Sequence, residues 1–251
     1  NNVYTSVETG CESVYGIMAT GVNGSTKRCS INFNHIWDIK PWDGIMSHDV
    51  DTLTVIGNDI RDVRNGIDIS RPVGTHTVQN LVISNNYVLE TTTDRCSGTP
   101  SMNTGILVTG YSTSNRISNF IISDNIINGF NRFTAPSGLY GAGIGIGEMN
   151  YVDIHDNIIQ NTQKSHTVQG GIVVVGHSQD LKIHDNMIYN DCTALIRFAL
   201  VVGDAISILN NQLSAVTPAT NIGIYLTDST IAKATVFGNN TNCTTPYLDD
   251  L

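Results

Sequence analysis

The chain has 251 residues and a mass of 27.1 kDa, with 13 Lys and Arg against 22 Asp and Glu, for a formal charge of −9. With 40% hydrophobic and only 14% charged residues it is no disordered polyelectrolyte, and its acidic balance argues against nucleic acid as the main partner. No apolar run approaches the roughly 18–20 residues that span a bilayer, no signal peptide stands at the front, and 1–251 reads as one domain that could belong to a longer chain.

In chain order the same short pattern keeps returning. A partial coil opens at Gly16-Ile17-Met18, and a weak copy of the main motif centres on Asn34. Clear copies follow at Leu53–Ile60 around Asn58, Leu81–Val88 around Asn86 and Phe120–Ile127 around Asn125. Three more run over Val152–Ile159 around Asn157, Leu181–Ile188 around Asn186 and Ile206–Leu213 around Asn211, with a last weak copy at Asn239. The pattern is apolar, any, apolar, any, any, Asn, any, apolar. Successive Asn lie 24, 28, 39, 32, 29, 25 and 28 residues apart, a period that marks a solenoid, propeller or array. A second motif follows most anchors: Gly44-Ile45, Gly66-Ile67, Gly105-Ile106, Gly143-Ile144, Gly171-Ile172 and Gly223-Ile224, each opening an alternating strand. Glu occurs only at Glu8, Glu12, Glu90 and Glu148, while Val, Ile, Thr, Asn and Gly abound, a composition of strands and turns.

Each repeat therefore carries at least two short strands and no core helix. Such strands pair with their equivalents in the next coil, roughly 4.8 Å along an axis. Apolar positions then fill a lumen. The recurring Asn sits at a turn, where it tolerates left-handed backbone and can bond its neighbours in a ladder. The fold expected is all-β, a parallel solenoid of about eight coils. A propeller needs longer repeats, and a left-handed hexapeptide helix needs a six-residue period that is absent.

The apolar-x-apolar-x-x-Asn-x-apolar repeats resemble those of right-handed parallel β-helix proteins, the pectate-lyase-like superfamily. That superfamily includes pectate and alginate lyases, mannuronan epimerases, polygalacturonases and phage tailspikes. The resemblance covers about residues 16 to 245 and implies a fold more than a chemistry.

Candidate sites follow from where the coils depart from regularity. Enlarged loops at roughly 90–103, 129–142 and 161–170 leave the same turn and should form a wall, often the binding face of a solenoid. The adjacent strand presents Met46, Asp68, Leu107, Gly145, Val173, Arg197 and Tyr225 outward, with the glycines at 145 and 147 leaving a flat floor for a chain ligand. Just past it comes a polar column: Asp49, Arg71, Tyr111, Glu148, His177, Asp204 and Asp228. Tyr140, Tyr111 and Phe133 offer aromatic faces to sugar rings.

The leading expectation is a polysaccharide-degrading β-helix resembling a phage tailspike depolymerase, extracellular or on a virion surface, acting on a capsular or other extracellular glycan. Asp68 and Glu148 would be its acids, two coils and so about 9.6 Å apart along the axis. Arg71, Tyr111, Tyr140, His177 and Arg197 would hold substrate. Asp43 with Asp68 is a further carboxylate pair on adjacent coils. The tailspike resemblance implies a homotrimer with sites between subunits.

One alternative is a secreted uronate lyase or C5-epimerase, with Arg71 or Arg197 neutralising a carboxylate and Tyr111, His177 or His48 exchanging the proton. The stretch Trp42–Asp49 is loosely similar to epimerase sequences but lacks their Pro and Glu. Polygalacturonase signatures are absent. The other alternative is a non-catalytic glycan-binding or structural β-helix. No cofactor is expected, although stacked Asp124, Asp156 and Asp185 could hold calcium and stacked His155 and His184 a transition metal. Five Cys, at 11, 29, 96, 192 and 243, show no metal-ligand spacing and read mostly as buried hydrophobes, with a Cys11–Cys29 disulfide left open.

Overall fold

The structure is a computed structural model, and it describes residues 2–4, 15–20, 26–39, 42–70, 79–91, 104–110, 117–130, 141–163, 169–191, 194–203, 205–216, 222–227 and 230–250. All regular elements among these are strands, and they wind as a parallel β-solenoid. One coil shows the scheme. Val50–Ile56 runs up to the anchor Asn58, Asp59–Arg61 follows the turn, and Ile67–Ser70 closes the coil. The next coil repeats it with Gln79–Ser84, Tyr87–Leu89 and Ile106–Thr109. Leu53 stands against Leu81, Ile60 against Val88 and Ile67 against Ile106, all in parallel. Different loop lengths thus leave the register of the strands untouched.

The short strands after each anchor, together with Asn2–Tyr4, form a nine-stranded sheet. The strands opening with Gly-Ile and those leading into the anchor Asn together make a sixteen-stranded sheet. Gly141–His155 and Gln169–His184 each run through both of its rows without a break. Inward residues fill one continuous lumen of Ile, Leu, Val and Phe side chains, with Phe120, Phe130 and Phe198 fully enclosed. Burial of this kind contributes roughly 1.5–3 kcal/mol per large side chain. The Gly of the Gly-Ile motif has a steric cause: a Cβ on Gly105 would collide with Ile127 Cγ2 and lie 2.7 Å from the Gly143 carbonyl. The corner where the third strand of a coil starts has no room for a side chain.

The anchors form the expected ladder. Backbone N–H and Nδ2 of Asn125 both donate to Oδ1 of Asn157, at 3.1 and 2.9 Å. Asn157 repeats this onto Asn186, and Asn186 onto Asn211. Each Nδ2 also donates backward to a strand carbonyl, as Asn157 does to Ile122 at 2.9 Å. Both donors and both lone pairs of a buried amide are thereby used. Eight rungs run from Asn34 to Asn239, and the six from Asn58 to Asn211 have a partner on either side and are buried.

One detail differs from the sequence reading. No anchor Asn is left-handed; the residue before it is. Phe33, Gly57, Asn85, Asp124, Asp156, Asp185, Asn210 and Gly238 all have φ between 54° and 70°. That residue takes up the turn so that the Asn can stay in position to bond along the axis. Cys29 and Cys243 are free thiols, and Cys11, the other half of the pairing left open above, lies outside the described residues. Among the described residues no helix is long and apolar enough to cross a membrane.

Candidate functional site

The expected outward row exists. Met46, Asp68, Leu107, Gly145, Val173, Arg197 and Tyr225 are in register across seven coils. It is not an open groove, however. Leu107 is 2% exposed and Val173 fully enclosed, and Val173 packs with Ala142, Val175 and Ala199 in a small apolar cluster separate from the lumen. The Arg197 guanidinium lies 5.4 Å from the centre of the Tyr225 ring, a cation–π arrangement within the same row. Arg71, Tyr111 and Tyr140 lie outside the described residues, as do Phe133, Asp204, Asp228 and most of the three enlarged loops.

Asp68 and Glu148 are not brought together. Asp68 is in register with Gly145 two coils on, and Glu148 is three residues beyond Gly145 along the strand. Their side chains also diverge. The carboxylate of Glu148 reaches over Gly176 of the following coil, where a Cβ would meet its Oε1 at 2.6 Å. The expected neighbour relation between Glu148 and His177 is offset too. A bulge follows Gly147, Met149 pairs with Ser178, and His177 pairs onward with Val202 as the extra residue. Oε2 of Glu148 and Nδ1 of His177 are buried and have no hydrogen-bond partner among the described residues.

Asp68 instead belongs with Asp43. One amide nitrogen, Nδ2 of Asn65, lies 2.8 Å from Asp43 Oδ1 and 3.5 Å from Asp68 Oδ2. The Arg64 guanidinium approaches Asp43 at 3.4 Å and stacks on the Trp42 ring at 4.3 Å. Tyr15 tilts against Trp42 with ring centres 5.5 Å apart. Asp43 is 1% exposed and Asp68 6%. Burial and the charge of Asp68 push the Asp43 pKa up to about 7, against the opposing pull of Arg64 and Asn65. The same burial and the Asp43 charge raise Tyr15. With two acids facing one guanidinium, a carboxyl proton is kept well above the ordinary carboxylate range. Both carboxylates are largely buried.

The open concave surface lies on the other row of the large sheet. Asn80, Asn119, Tyr151 and Asp180 occupy one register row, each between paired neighbours, and all four are left-handed with φ between 51° and 58°. They lie within the strands that lead into the anchors, while the two rows of the sheet meet at the irregularity between Gly147 and Met149. The groove holds about 650 Å³ and is lined by these four with Val82, Ile121, Asp153 and Lys182. Asn and Asp accept φ > 0 readily; a Tyr there is an outlier. Tyr151 is 52% exposed. These residues were not singled out from the sequence. The signal was present: an Asn, Asp or Tyr stands directly before the first apolar residue in Asn80-Leu81, Asn119-Phe120, Tyr151-Val152 and Asp180-Leu181.

Beside the groove, His155 and His184 stack with ring centres 5.1 Å apart and planes 8° from parallel. His184 reaches Asp153 at 2.8 Å through Nε2 and Asp185 at 2.7 Å through Nδ1. Both ring nitrogens face carboxylates, which suits the imidazolium with its two donors. Burial works against that charge, yet the two carboxylates outweigh it and His184 is raised. His155 bonds Asp156 at 2.9 Å, and the His48 ring bonds the Ser70 carbonyl. Among the described residues no group of three or more His, Cys, Asp or Glu is placed to hold a metal ion.

These features define a parallel β-solenoid with an aromatic-bearing groove on one flank. No protein-family model matches the chain, and no curated protein matches it in sequence. Among solved structures it is similar to PfbA, a surface adhesin of Streptococcus pneumoniae. In one structure the identity is 12% over 96% of this chain and 77% of that one, with a TM-score of 0.48. In a second structure of PfbA the identity is 11% over 99% of this chain and 84% of that one, with a TM-score of 0.40. At this level the likeness bears on neither activity nor ligand.

Proposed function

We propose that the chain is a non-catalytic, glycan-binding β-helix whose contact surface is the groove around Tyr151. One observation carries the reading. An exposed aromatic residue is held in a backbone conformation that bulky residues avoid, between Asn119 and Asp180 in its row, in a groove whose lining includes the aliphatic side chains of Val82 and Ile121. A sugar ring has an apolar face for the Tyr and the aliphatic side chains and hydroxyls for the amides and carboxylates, and a volume of this size suits a short stretch of polymer. The proposed setting is extracellular or a virion surface. The test is a panel of polysaccharides run by affinity electrophoresis, with Tyr151→Ala beside the wild type. Retardation by a glycan that Tyr151→Ala abolishes supports the reading; no retardation by any glycan ends it.

Cleavage of the glycan is the second reading, favoured by one observation: Asp43 and Asp68 share an amide donor, and Asp43 holds its proton to about pH 7. On this reading the acids are Asp43 and Asp68 rather than Asp68 and Glu148. New reducing ends, unsaturated uronate or a fall in polymer size, lost in Asp43→Asn, would establish it. Sedimentation analysis with and without glycan tests the proposed homotrimer.

A further inference from the structure

The charge pattern of the groove narrows the class of glycan, an inference that rests on the glycan-binding reading above. Asp153 and Asp180 line the groove, and Lys182 is the lysine beside them. On the same face Asp124, Asp156 and Asp185 occupy one position on three successive coils, each left-handed and exposed. Strands in register put such carboxylates about 4.8 Å apart along the axis. His155 and His184 compensate only in part, since each is already engaged with Asp156, or with Asp153 and Asp185. Negative potential therefore runs along the axis, in the direction in which the groove repeats its polar side chains.

That repetition also has a geometric sense. Asn80, Asn119, Tyr151 and Asp180 each supply one side chain per coil at the spacing of the rungs. An extended chain of pyranose rings laid parallel to the axis meets an equivalent position with nearly every ring. A uronate chain laid there would bring one carboxylate per ring against the aspartates. A hydroxyl of a neutral ring instead donates to Asp153 or Asp180 and accepts from Asn80, Asn119 or Lys182.

We infer that the groove takes an uncharged linear glycan, lying along the solenoid axis, and turns away polyanionic ones. The experiment uses the full chain and three probes: a linear β-glucan, an oligomer of β-linked N-acetylglucosamine, and polygalacturonate. Binding is measured in 50 and 500 mM salt for the wild type and for the double variant Asp153→Asn with Asp180→Asn. Both positions are exposed or half-exposed, and Asn tolerates the left-handed backbone at 180, so the variant keeps its fold. The expected result is a neutral probe whose affinity changes less than about twofold with salt, and polygalacturonate at least about tenfold weaker at low salt and recovered in the double variant. Polygalacturonate binding the wild type at 50 mM salt as tightly as the neutral probes overturns the inference while leaving glycan binding intact. Failure of all three probes counts instead against glycan binding itself.

Discussion

Replacing Asp43 by Asn should make the protein more stable in mild alkali, an unusual outcome for loss of a buried, salt-bridged carboxylate. The reason is the crowding of charge around it. Asp43 and Asp68 are both buried and share the Asn65 amide, while Arg64 supplies the guanidinium at 3.4 Å. The Asp43 pKa is raised from 3.8 to about 7, first by burial and then by Asp68. A raised carboxyl pKa means that the folded state binds a proton the unfolded state has released. The associated stability is fully present below pH 3.8 and is lost as pH rises through 7. A shift of this size corresponds to a cost of about 4 kcal/mol above the folded pKa. Asn at this position keeps an oxygen to accept from Asn65 and removes the charge. Urea denaturation at pH 5, 6, 7 and 8 reads the difference. The wild type should weaken across this range more steeply than Asp43→Asn, so the two curves separate most at pH 8. Parallel pH profiles with unchanged m-values would refute the reasoning, because the pair would then not be the source of the linkage.

Other perturbations probe the remaining features. Asn157→Ala takes the acceptor from two donors of Asn125 and the donor from the Ile122 carbonyl; three orphaned buried groups at about 1–3 kcal/mol each make a loss of at least about 3 kcal/mol in denaturation, against the few tenths of a surface site. Gly176→Ala, at φ 74° with Glu148 Oε1 2.6 Å from the new Cβ, should displace that carboxylate and lower the melting temperature more than Gly147→Ala, where the surroundings are looser. The His184 ring, held by Asp153 and Asp185, should titrate above the ordinary histidine value of 6.5 by NMR; the linked stability is complete below that value and fades as pH climbs through the raised one, and a midpoint under 6.5 would contradict the pairing.

The fold was legible because its causes repeat. An apolar-x-apolar alternation ending at Asn, returned six times with varying loops between, admits few shapes other than stacked coils, and the side-chain ladder from Asn34 to Asn239 is the physical reason for the recurring residue. The outward row from Met46 to Tyr225 was legible for the same reason. What sequence could not show was which outward row stays open. Register alone places Leu107 and Val173 on the outside, yet both are enclosed. The bulge after Gly147 likewise shifts His177 by one residue relative to Glu148, a step that no count of repeats reveals. The groove escaped notice because what its row of residues shares is a backbone conformation. The four left-handed residues from Asn80 to Asp180 look like ordinary turn residues except for Tyr151, and it is the exception that marks the surface.

Amide hydrogen exchange with and without a bound neutral oligosaccharide tests glycan binding in the groove most directly. Protection should rise in the strand segments 79–84, 117–123, 150–155 and 179–184, which carry the groove, and the effect should vanish in Tyr151→Ala. Protection centred on 42–48 and 64–70, where Asp43 and Asp68 sit, would move the ligand to the other flank of the solenoid and contradict the assignment.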